Sequence, residues 1–435
     1  MDVFNKFYSS VSNTVSQLSG VLPGNPVTRE FEITNHVASA GPCLLWKVYS
    51  GYKKSTKQEA SIFLLEKRIF EGWSKSDRES VLESLKRGIA QLTRLRHPQI
   101  LVVQHPLEES RESLAFATEP VFASLANILG NNTNISSSPP SHLRDYKLFE
   151  VEIKYGLMQI GQGLTFLHGD VKLLHRNICP ECVVVNAQGA WKIFGFEFYV
   201  ANHSTTPGSL PHWPFEEFVS DGHPCSLPNL DYMAPEMALT LSHSPASDLF
   251  SLGALAYALF SPDGHAPQHC EGKWNRFAKS AAELKRAGTV KGIDCLPNGL
   301  RDCVRMLLSP TPELRPDAHQ FLKIEYFEDV GIKTLNYLDS SFQWDNLQKS
   351  QFYKGLPQVL PKLPHRVCLY RIIPCLVKEF INASMVPFVL PNVLAIAQNC
   401  SREEFEVNIL PHLLPVMKIQ DPIQVYLSFS LGIWL

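Results

Sequence analysis

The sequence lacks an excess of charge of either sign. Its 435 residues include 40 lysines and arginines against 42 aspartates and glutamates, which gives a formal net charge of −2 at pH 7. Because nucleic acids and anionic membranes attract proteins that carry a strong positive field, this balance predicts no nucleic-acid partner. Hydrophobic residues make up 45% of the chain and charged residues 19%, which excludes a largely disordered protein.

The sequence also lacks the signals of export and of membrane insertion. Its N-terminus has neither the charged start nor the continuous apolar stretch of a signal peptide. The longest apolar run, at 249–260, is too short to span a bilayer and predicts a buried helix. The ten cysteines are therefore expected to be reduced thiols, and the cytoplasm is the expected compartment.

Residues 1–28 are predicted to form an N-terminal amphipathic segment. Its apolar side chains recur at roughly helical spacing. They are Phe4, Phe7, Val11, Val15 and Leu18. The pattern favours a helix that packs on the following domain, because few lysines or arginines accompany it. A helix on a membrane surface stays open as the second interpretation.

Residues 29–330 have the pattern of an α+β domain with two lobes. Short strand-like runs fill the first part and surround one long helical stretch, Ser80–Arg94. A polar loop follows at Asn131–Ser141, and a strong amphipathic helix follows at Glu152–His168. The rest of this domain is mostly helical.

Residues 354–435 have a different pattern, in which Leu-Pro pairs recur within amphipathic helices. Pro374 and Pro411 lie 37 positions apart, close to the period of a HEAT-like helical pair. We therefore predict a linker at 331–353 and then α-helical HEAT-like repeats. No polar capping repeat closes the sequence, so the repeats are expected to be a truncated solenoid.

Five short motifs occur in the order and at the spacing of a protein kinase. They are Leu95-Arg96-His97-Pro98, His175-Arg176-Asn177, Ala234-Pro235-Glu236, Asp248-Leu249-Phe250-Ser251-Leu252-Gly253 and Arg315-Pro316. The chain thus resembles the protein kinase family, which implies a bilobal protein-kinase-like domain. The resemblance also implies a structural frame, in which Glu236 pairs with Arg315 and Asp248 braces the backbone at His175 and Arg176.

The chemical positions of the kinase pattern are replaced. By resemblance, the residues at these positions are Phe63 for the phosphate-binding lysine, Gly88 for its glutamate partner, Asn177 for the catalytic aspartate, Cys182 for the metal-binding asparagine and Gly195 for the metal-binding aspartate. Phosphoryl transfer depends on positioning and charge neutralisation. An amide cannot serve as the base, and a thiol is a poor ligand for Mg²⁺. We therefore predict no catalytic residues and no enzyme activity.

The nucleotide-binding positions point the same way. Ala38, Ala40 and Cys43 stand where the resemblance places the glycines of the phosphate loop, and Glu119 stands in the hinge. Side chains in that loop oppose the approach of a phosphate to the backbone. No cofactor is predicted, with ATP and Mg²⁺ binding weak or absent. A weak or atypical ATP-binding serine/threonine kinase that uses Glu197 for Mg²⁺ remains the alternative.

A closer resemblance is to the Scy-like family of pseudokinases, in its coated-vesicle-associated branch. It rests on stretches across residues 22–427, namely Asn25–Phe31, Lys53–Glu59, Gln91–Pro98, His105–Arg111, Glu119–Leu125 and Asp345–Val367. The resemblance implies a scaffold in clathrin-dependent traffic between the trans-Golgi network, endosomes and plasma membrane. It implies protein partners from the vesicle coat or adaptor machinery and a peripheral association with those membranes. The oligomeric state is not predicted.

Two further motifs allow other interpretations. Cys179-Pro180-Glu181-Cys182 is a C-x-x-C motif, which could bind zinc if His168 and His175 converge on it; the favoured interpretation is two small residues in an altered loop. Four hydroxyl residues of the activation segment could accept phosphate and pair with Arg176. They are Ser204, Thr205, Thr206 and Ser209.

Overall fold

A five-stranded antiparallel sheet forms the first part of the computed structural model, with strand order β1-β2-β3-β5-β4. The strands are β1 Phe31–Ala40, β2 Trp46–Lys53, β3 Glu59–Glu66, β4 Val103–Glu109 and β5 Ser113–Thr118. A short helix, α1 (Val27–Glu30), precedes them. Strand β3 is central and almost wholly buried, and its register places Phe63 opposite Val48 on one side and Phe116 on the other.

The long helix of the first lobe, α2, spans Lys75–Arg94, about one turn more than the predicted Ser80–Arg94. It begins at Ser74, whose side chain accepts a hydrogen bond from the Asp77 backbone N–H, a standard N-terminal cap. Its buried face follows a period of three and four residues, as an amphipathic helix requires. That face consists of Val81, Leu85, Gly88, Ile89 and Leu92.

The larger lobe is mainly helical, as predicted. Its strands are β6 Val121–Ser124, β7 Leu173–Leu174, β8 Val183–Asn186, β9 Trp191–Ile193 and β10 Val200–Ala201. Its helices are α3 Leu125–Ile128, α4 Glu150–Phe166, α5 Glu236–Leu239, α6 Pro245–Phe260, α7 Trp274–Ala287, α8 Asn298–Leu307 and α9 Ala318–Phe321. The apolar run at 249–260 lies in α6, which begins with a capping box at Ser244 and is buried along nearly all its length.

The structure describes residues 24–135, 140–204, 209–218 and 222–417. The predicted amphipathic pattern of residues 1–28 thus lies almost entirely outside the described residues. The chain divides into two units, one with residues up to Leu148 and Gly156–Glu325, the other with Phe149–Tyr155 and the residues from Tyr326 onward. Within the described ranges, no helix combines the length and the apolar composition needed to cross a membrane.

The second unit is helical throughout. Its helices are α10 Val330–Ser340, α11 Asn346–Gly355, α12 His365–Val367, α13 Ile373–Lys378, α14 Val386–Ala397, α15 Arg402–Asn408 and α16 Leu410–Val416. The recurring Leu-Pro pairs have a local explanation, because Pro374 and Pro411 stand in the first turns of α13 and α16, where no backbone N–H is needed.

The segment 331–353, for which we predicted a linker, instead contains α10 and most of α11. Side chains of Asp329 and Asp345 cap the two helices, and Leu335 and Tyr353 bury their apolar faces within the second unit. The segment is polar on its other faces, which explains why its sequence looked like a linker. The helical unit therefore begins near residue 326 and not at 354.

Candidate functional site

The predicted frame of the kinase fold includes a buried ion pair between Glu236 and Arg315. The guanidinium donates to both carboxylate oxygens, at 2.7 and 2.8 Å, and 0% of the Arg315 side chain is exposed. Arg315 also donates to the Ser309 and Ala246 carbonyl oxygens, and Ser247 donates to Glu236. A buried pair of this kind is tolerated because its hydrogen-bonding groups are satisfied.

Asp248 organises the loop that carries the His-Arg-Asn motif. Its carboxylate accepts hydrogen bonds from the backbone N–H groups of His175 and Arg176, at 2.9 and 2.7 Å, and lies 2.8 Å from His168 Nε2. Burial alone would raise the pKa of Asp248, but these bonds and the nearby imidazoles outweigh burial and lower it. His175 in turn bonds the Phe194 carbonyl oxygen, which joins this loop to the segment just after β9. The geometry thus assembles the predicted frame residues.

Phe63 lies in an aromatic cluster at the position where the resemblance places a lysine. Its ring is stacked on Phe116 with centroids 4.8 Å apart and contacts Phe194 at 5.2 Å, while Trp46 meets Phe116 edge-on at 5.0 Å. All four side chains are fully buried. The cluster fills this part of the first lobe with apolar volume and offers no positive charge to a phosphate.

The close approach of Glu197 explains why position 88 is a glycine. A Cβ atom at position 88 would lie 2.9 Å from the Glu197 backbone nitrogen and 3.1 Å from its carboxyl carbon, too close for any other residue without a shift. The Glu197 side chain thus lies against α2 at the position predicted for the missing glutamate. Both carboxyl oxygens are buried without a hydrogen-bond partner, and the Trp46 indole faces them outside hydrogen-bond geometry. Burial raises the pKa of Glu197 to about 8.

Gly195 and Cys182, at the two metal positions, are packed against each other. A Cβ at position 195 would lie 2.3 Å from Cys182 Sγ, and Gly195 has a φ of +79°, which disfavours other residues. The Asn177 amide donates to Cys182 Sγ at 3.3 Å, and its oxygen accepts from the Asn229 N–H at 2.9 Å. The thiol therefore occupies the space that an aspartate side chain would need.

The predicted phosphate loop is tied to the catalytic loop. The Gly41 N–H donates to the Glu181 carbonyl oxygen at 2.7 Å, and a Cβ at Gly41 would lie 2.7 Å from the Trp46 ring. Ala38 and Ala40 are fully buried, while Cys43 is exposed and has a φ of +52°. A backbone N–H that already bonds protein is not free to bind a phosphate oxygen.

The helix α3 and the loop that follows it hold this arrangement in place. The Ser39 N–H donates to Asn127 Oδ1 at 2.9 Å, and its hydroxyl donates to the Thr133 carbonyl oxygen at 2.7 Å. The Asn134 amide bonds the carbonyl oxygens of Leu44 and Leu45. We did not predict these contacts from the sequence, although Ser39 stands out as a polar residue between two alanines, at what the structure shows to be the buried end of β1.

The polar groups of the hinge, like those of the phosphate loop, form hydrogen bonds within the protein. The Glu119 carboxylate accepts from the Val102 N–H at 3.1 Å and from the Asn186 amide at 3.0 Å, and the Val121 N–H donates to Ser61 Oγ at 2.8 Å. Ser61, also missed from the sequence, is the one polar residue in the buried run 60–65 of β3. A cavity of about 590 Å³ borders the hinge, and its lining includes none of the predicted catalytic or metal positions.

Arg176, the predicted phosphate partner, contacts protein groups. Its guanidinium donates to the Glu216 carbonyl oxygen at 3.0 Å and lies 4.4 Å from the Phe218 ring centroid. Burial lowers the pKa of Arg176 to about 10. Thr205 and Thr206 lie outside the described residues, so phosphorylation of this segment stays a prediction.

The C-x-x-C motif is buried, and the two histidines that could complete a metal site are engaged elsewhere. Cys179 donates to Asn177, and within the described ranges no third ligand joins Cys179 and Cys182 in a cluster compact enough for a metal ion. His168 contacts Asp248, and His175 contacts a backbone carbonyl group.

Comparison with known proteins places this site in a family. Residues 46–327 match the protein kinase domain. The chain is 50% identical to SCY1-like protein 2 of Mus musculus over 428 residues, 98% of this chain and 46% of that protein. It is 49% identical to SCY1-like protein 2 of Homo sapiens over 429 residues, with the same shares covered.

A more distant relative is the "Probable inactive serine/threonine-protein kinase scy1" of Dictyostelium discoideum, 27% identical over 383 residues, 87% of this chain and 40% of that protein. The chain spans about half the length of these relatives. Its kinase frame and these similarities agree, so the chain belongs to the protein kinase family and, within it, to the SCY1-like pseudokinases.

Proposed function

We propose that this chain is a catalytically inactive pseudokinase that acts as a scaffold for other proteins. The observation that carries the proposal is the contact between Cys182 and Gly195, because a thiol fills the space in which a kinase holds its metal-binding carboxylate. The name of the Dictyostelium relative, a probable inactive serine/threonine-protein kinase, supports the same conclusion.

The replacements act together on one reaction. Removing a single group that stabilises transition-state charge typically lowers the rate by roughly 10²–10³-fold. Phe63 brings no charge to the phosphates, Asn177 cannot accept the substrate proton, and Gly195 has no metal ligand to offer. The alternative function, an atypical kinase, would need Glu197 to bind Mg²⁺. The Glu197 carboxyl group is buried beside α2, and burial raises its pKa to about 8, so it is protonated at neutral pH.

Thermal unfolding of the purified chain with ATP tests this proposal, with and without Mg²⁺. We expect no saturable shift of the unfolding midpoint and no transfer of labelled phosphate to a generic acceptor protein, under conditions in which an active kinase shows both. Saturable Mg²⁺-dependent stabilisation, together with phosphate transfer that Glu197→Ala abolishes, would contradict the scaffold proposal and support the atypical kinase.

The finer proposal concerns where the scaffold works. By its resemblance to the coated-vesicle-associated branch, the chain functions in clathrin-dependent traffic on the cytoplasmic face of vesicles, trans-Golgi network or endosomes, as a peripheral protein. Its partners are coat or adaptor proteins, and the helices from residue 326 onward act as HEAT-like repeats that bind them. Similarity to SCY1-like protein 2 supports this proposal.

Binding to purified clathrin and adaptor proteins tests the finer proposal. Ile381 in the second unit is 94% exposed, and Leu210 in the first unit is 87% exposed, so the two form a matched pair of surface positions. We expect Ile381→Ser, combined with Phe342→Ser, to weaken capture of a coat component, whereas Leu210→Ser has no effect. Equal binding by all variants, or no binding by the parent chain, would contradict the assignment.

A further inference from the structure

Three side chains that can bind metal converge in the second unit. One ligand atom from each of His365, Cys400 and Glu404 lies within 4.8 Å of the other two, and His365 Nε2 lies 3.3 Å from Glu404 Oε2. His365 is the first residue of α12, Cys400 lies just after α14, and Glu404 stands in the first turn of α15. The fold thus joins residues that are about 35 positions apart in the sequence.

Local capping explains only part of this arrangement. Ser401 and Glu404 form a capping box, in which the Glu404 carboxylate accepts from the Ser401 N–H at 2.8 Å and Ser401 Oγ accepts from the Glu404 N–H at 3.2 Å. A capping box needs neither a thiol nor an imidazole beside it. The Cys400 thiol donates to the Ile396 carbonyl oxygen at 3.5 Å, an ordinary bond at the end of a helix. Neither this bond nor the capping box explains why Cys400 and His365 converge on Glu404.

The chemistry of the three ligands indicates a particular metal. A thiolate, an imidazole nitrogen and a carboxylate oxygen are the set that zinc prefers, whereas Mg²⁺ and Ca²⁺ take oxygen ligands. His365 and Glu404 side chains are 37% and 31% exposed, so water has access to the cluster. Three protein ligands plus one water complete a tetrahedral zinc site.

We propose that His365, Cys400 and Glu404 bind one zinc ion, with a water molecule as the fourth ligand. The ion connects the start of α12 to the junction of α14 and α15 and so stabilises the helical unit. This site lies apart from the C-x-x-C motif of the first unit, and it does not depend on the proposed scaffold function.

The chemistry of a thiol ligand predicts how binding depends on pH. The zinc ligand is the thiolate, so the ion must displace a proton from Cys400. Zinc affinity is therefore expected to rise with pH, and binding is expected to release protons into a weakly buffered solution.

The test uses the full chain, stripped with a chelator and titrated with zinc alone. We expect one bound zinc ion per chain and a higher unfolding midpoint in its presence. Cobalt in place of zinc should give the near-ultraviolet charge-transfer absorption of a cobalt–thiolate bond. Cys400→Ser should abolish that absorption, and Cys400→Ser and His365→Gln should each weaken zinc binding by about tenfold or more.

Two matched variants separate the site from its surroundings. Glu404→Gln keeps a residue that completes the capping box but removes the charged ligand, so the fold should persist while zinc affinity falls. Cys375→Ser removes another partly exposed thiol of the same unit, which bonds the Arg371 carbonyl oxygen, and should leave zinc binding unchanged. The proposal is overturned if Cys400→Ser and His365→Gln bind zinc like the parent chain, or if Cys182→Ser alone removes the ion.

Discussion

Glu236 and Arg315 lie as deep in the first unit as Phe63, yet that pair carries two full charges and Phe63 carries none. The difference lies in which groups neutralise a charge at each position. The frame charges meet each other and nearby backbone groups, whereas the charges of a kinase catalytic site meet ATP and Mg²⁺. A chain that does not hold these ligands would bury such charges unpaired, at a large cost in stability.

The positions at which kinase catalytic residues are replaced thus form a second packed region of the first unit. Cys182 fills the space beside Gly195, Glu197 fills the space beside Gly88, and the loop at Gly41 bonds the catalytic loop. Each replacement fits its neighbour, so returning one kinase residue by itself should disturb packing before it restores any chemistry.

The largest expected effect comes from Phe63→Lys, which returns the residue that a kinase has at this position. It removes a stacked aromatic ring and buries an ammonium group within the cluster formed with Phe116, Phe194 and Trp46. We expect a loss of about 5 kcal/mol in the free energy of unfolding, measured by denaturant titration, and no gain of ATP binding.

Phe63→Leu is the matched control for that substitution. It keeps an apolar side chain of similar volume and should cost less than about 1.5 kcal/mol. If Phe63→Lys were as stable as Phe63→Leu, the aromatic cluster could not be the reason why the lysine is absent.

Breaking the ion pair between Glu236 and Arg315 should lower the free energy of unfolding nearly as much. Arg315→Met leaves the Glu236 carboxylate buried without its partner, and breaking a buried pair in this way typically costs about 3–5 kcal/mol. Arg305→Met is the control, because Arg305 pairs with Asp302 on the exposed face of α8, where such a pair contributes about 1 kcal/mol or less. Equal midpoints in urea for the two variants would show that the frame pair adds no more than a surface pair.

Gly195→Asp should lower the free energy of unfolding less than these changes, but it tests the coupling between positions 195 and 182. The new side chain must displace Cys182 Sγ and adopt a positive φ, so we expect a loss of about 3 kcal/mol. Adding Cys182→Gly removes the two atoms that lie closest and should recover about 1–2 kcal/mol in a double-mutant cycle.

A distant buried thiol provides the control for this cycle. Cys303→Gly lies in α8, away from Gly195, and its effect should simply add to that of Gly195→Asp. Strict additivity with Cys182→Gly as well would show that the contact does not account for the glycine.

The motifs predicted the frame because it depends on residue types that few other residues can replace. The resemblance to the kinase family implied a pair between Glu236 and Arg315, and the structure places them in a bidentate ion pair. The same resemblance implied which groups are missing at Phe63 and Gly195, because a missing charge is visible once the motifs are aligned.

What fills those positions could not be predicted, because it depends on contacts between distant segments. Nothing in the sequence near Gly88 indicates Glu197, which is more than 100 positions away. The prediction of a linker at 331–353 was wrong for a similar reason, because packing in the second unit stabilises its helices. The helix α10 has only a short apolar stripe, Ile332, Leu335 and Leu338, and α11 is mostly polar.

Glu197 is the exception in the comparison, because it is a charged residue type that is buried without a partner. Its pKa, raised to about 8 by burial, lies above the ordinary value near 4.5, so the folded state keeps a proton that the unfolded chain has lost. This group therefore favours folding most strongly below pH 4.5, and its contribution declines as the pH rises to about 8. Glu197→Gln, which cannot ionise, should be more stable than the parent chain by about 2 kcal/mol at pH 7 and similar to it near pH 5.

The measurement is the difference in unfolding free energy between Glu197→Gln and the parent chain across this pH range. Glu66→Gln is the control, because hydrogen bonds from Lys47 and Arg68 outweigh burial and lower the pKa of Glu66. The Glu66 carboxylate stabilises the folded state at pH values above its ordinary pKa, and this stabilisation is lost as the pH falls. The difference in unfolding free energy between Glu66→Gln and the parent chain should therefore change with pH in the opposite direction to that of Glu197→Gln. A flat curve for Glu197→Gln would mean that folding leaves the pKa of Glu197 at its ordinary value, and a curve with the sign of the Glu66 curve would mean that Glu197 is ionised and paired with a positive group. Either result would end the contrast between the paired charges of the frame and the unpaired residue of the former catalytic site.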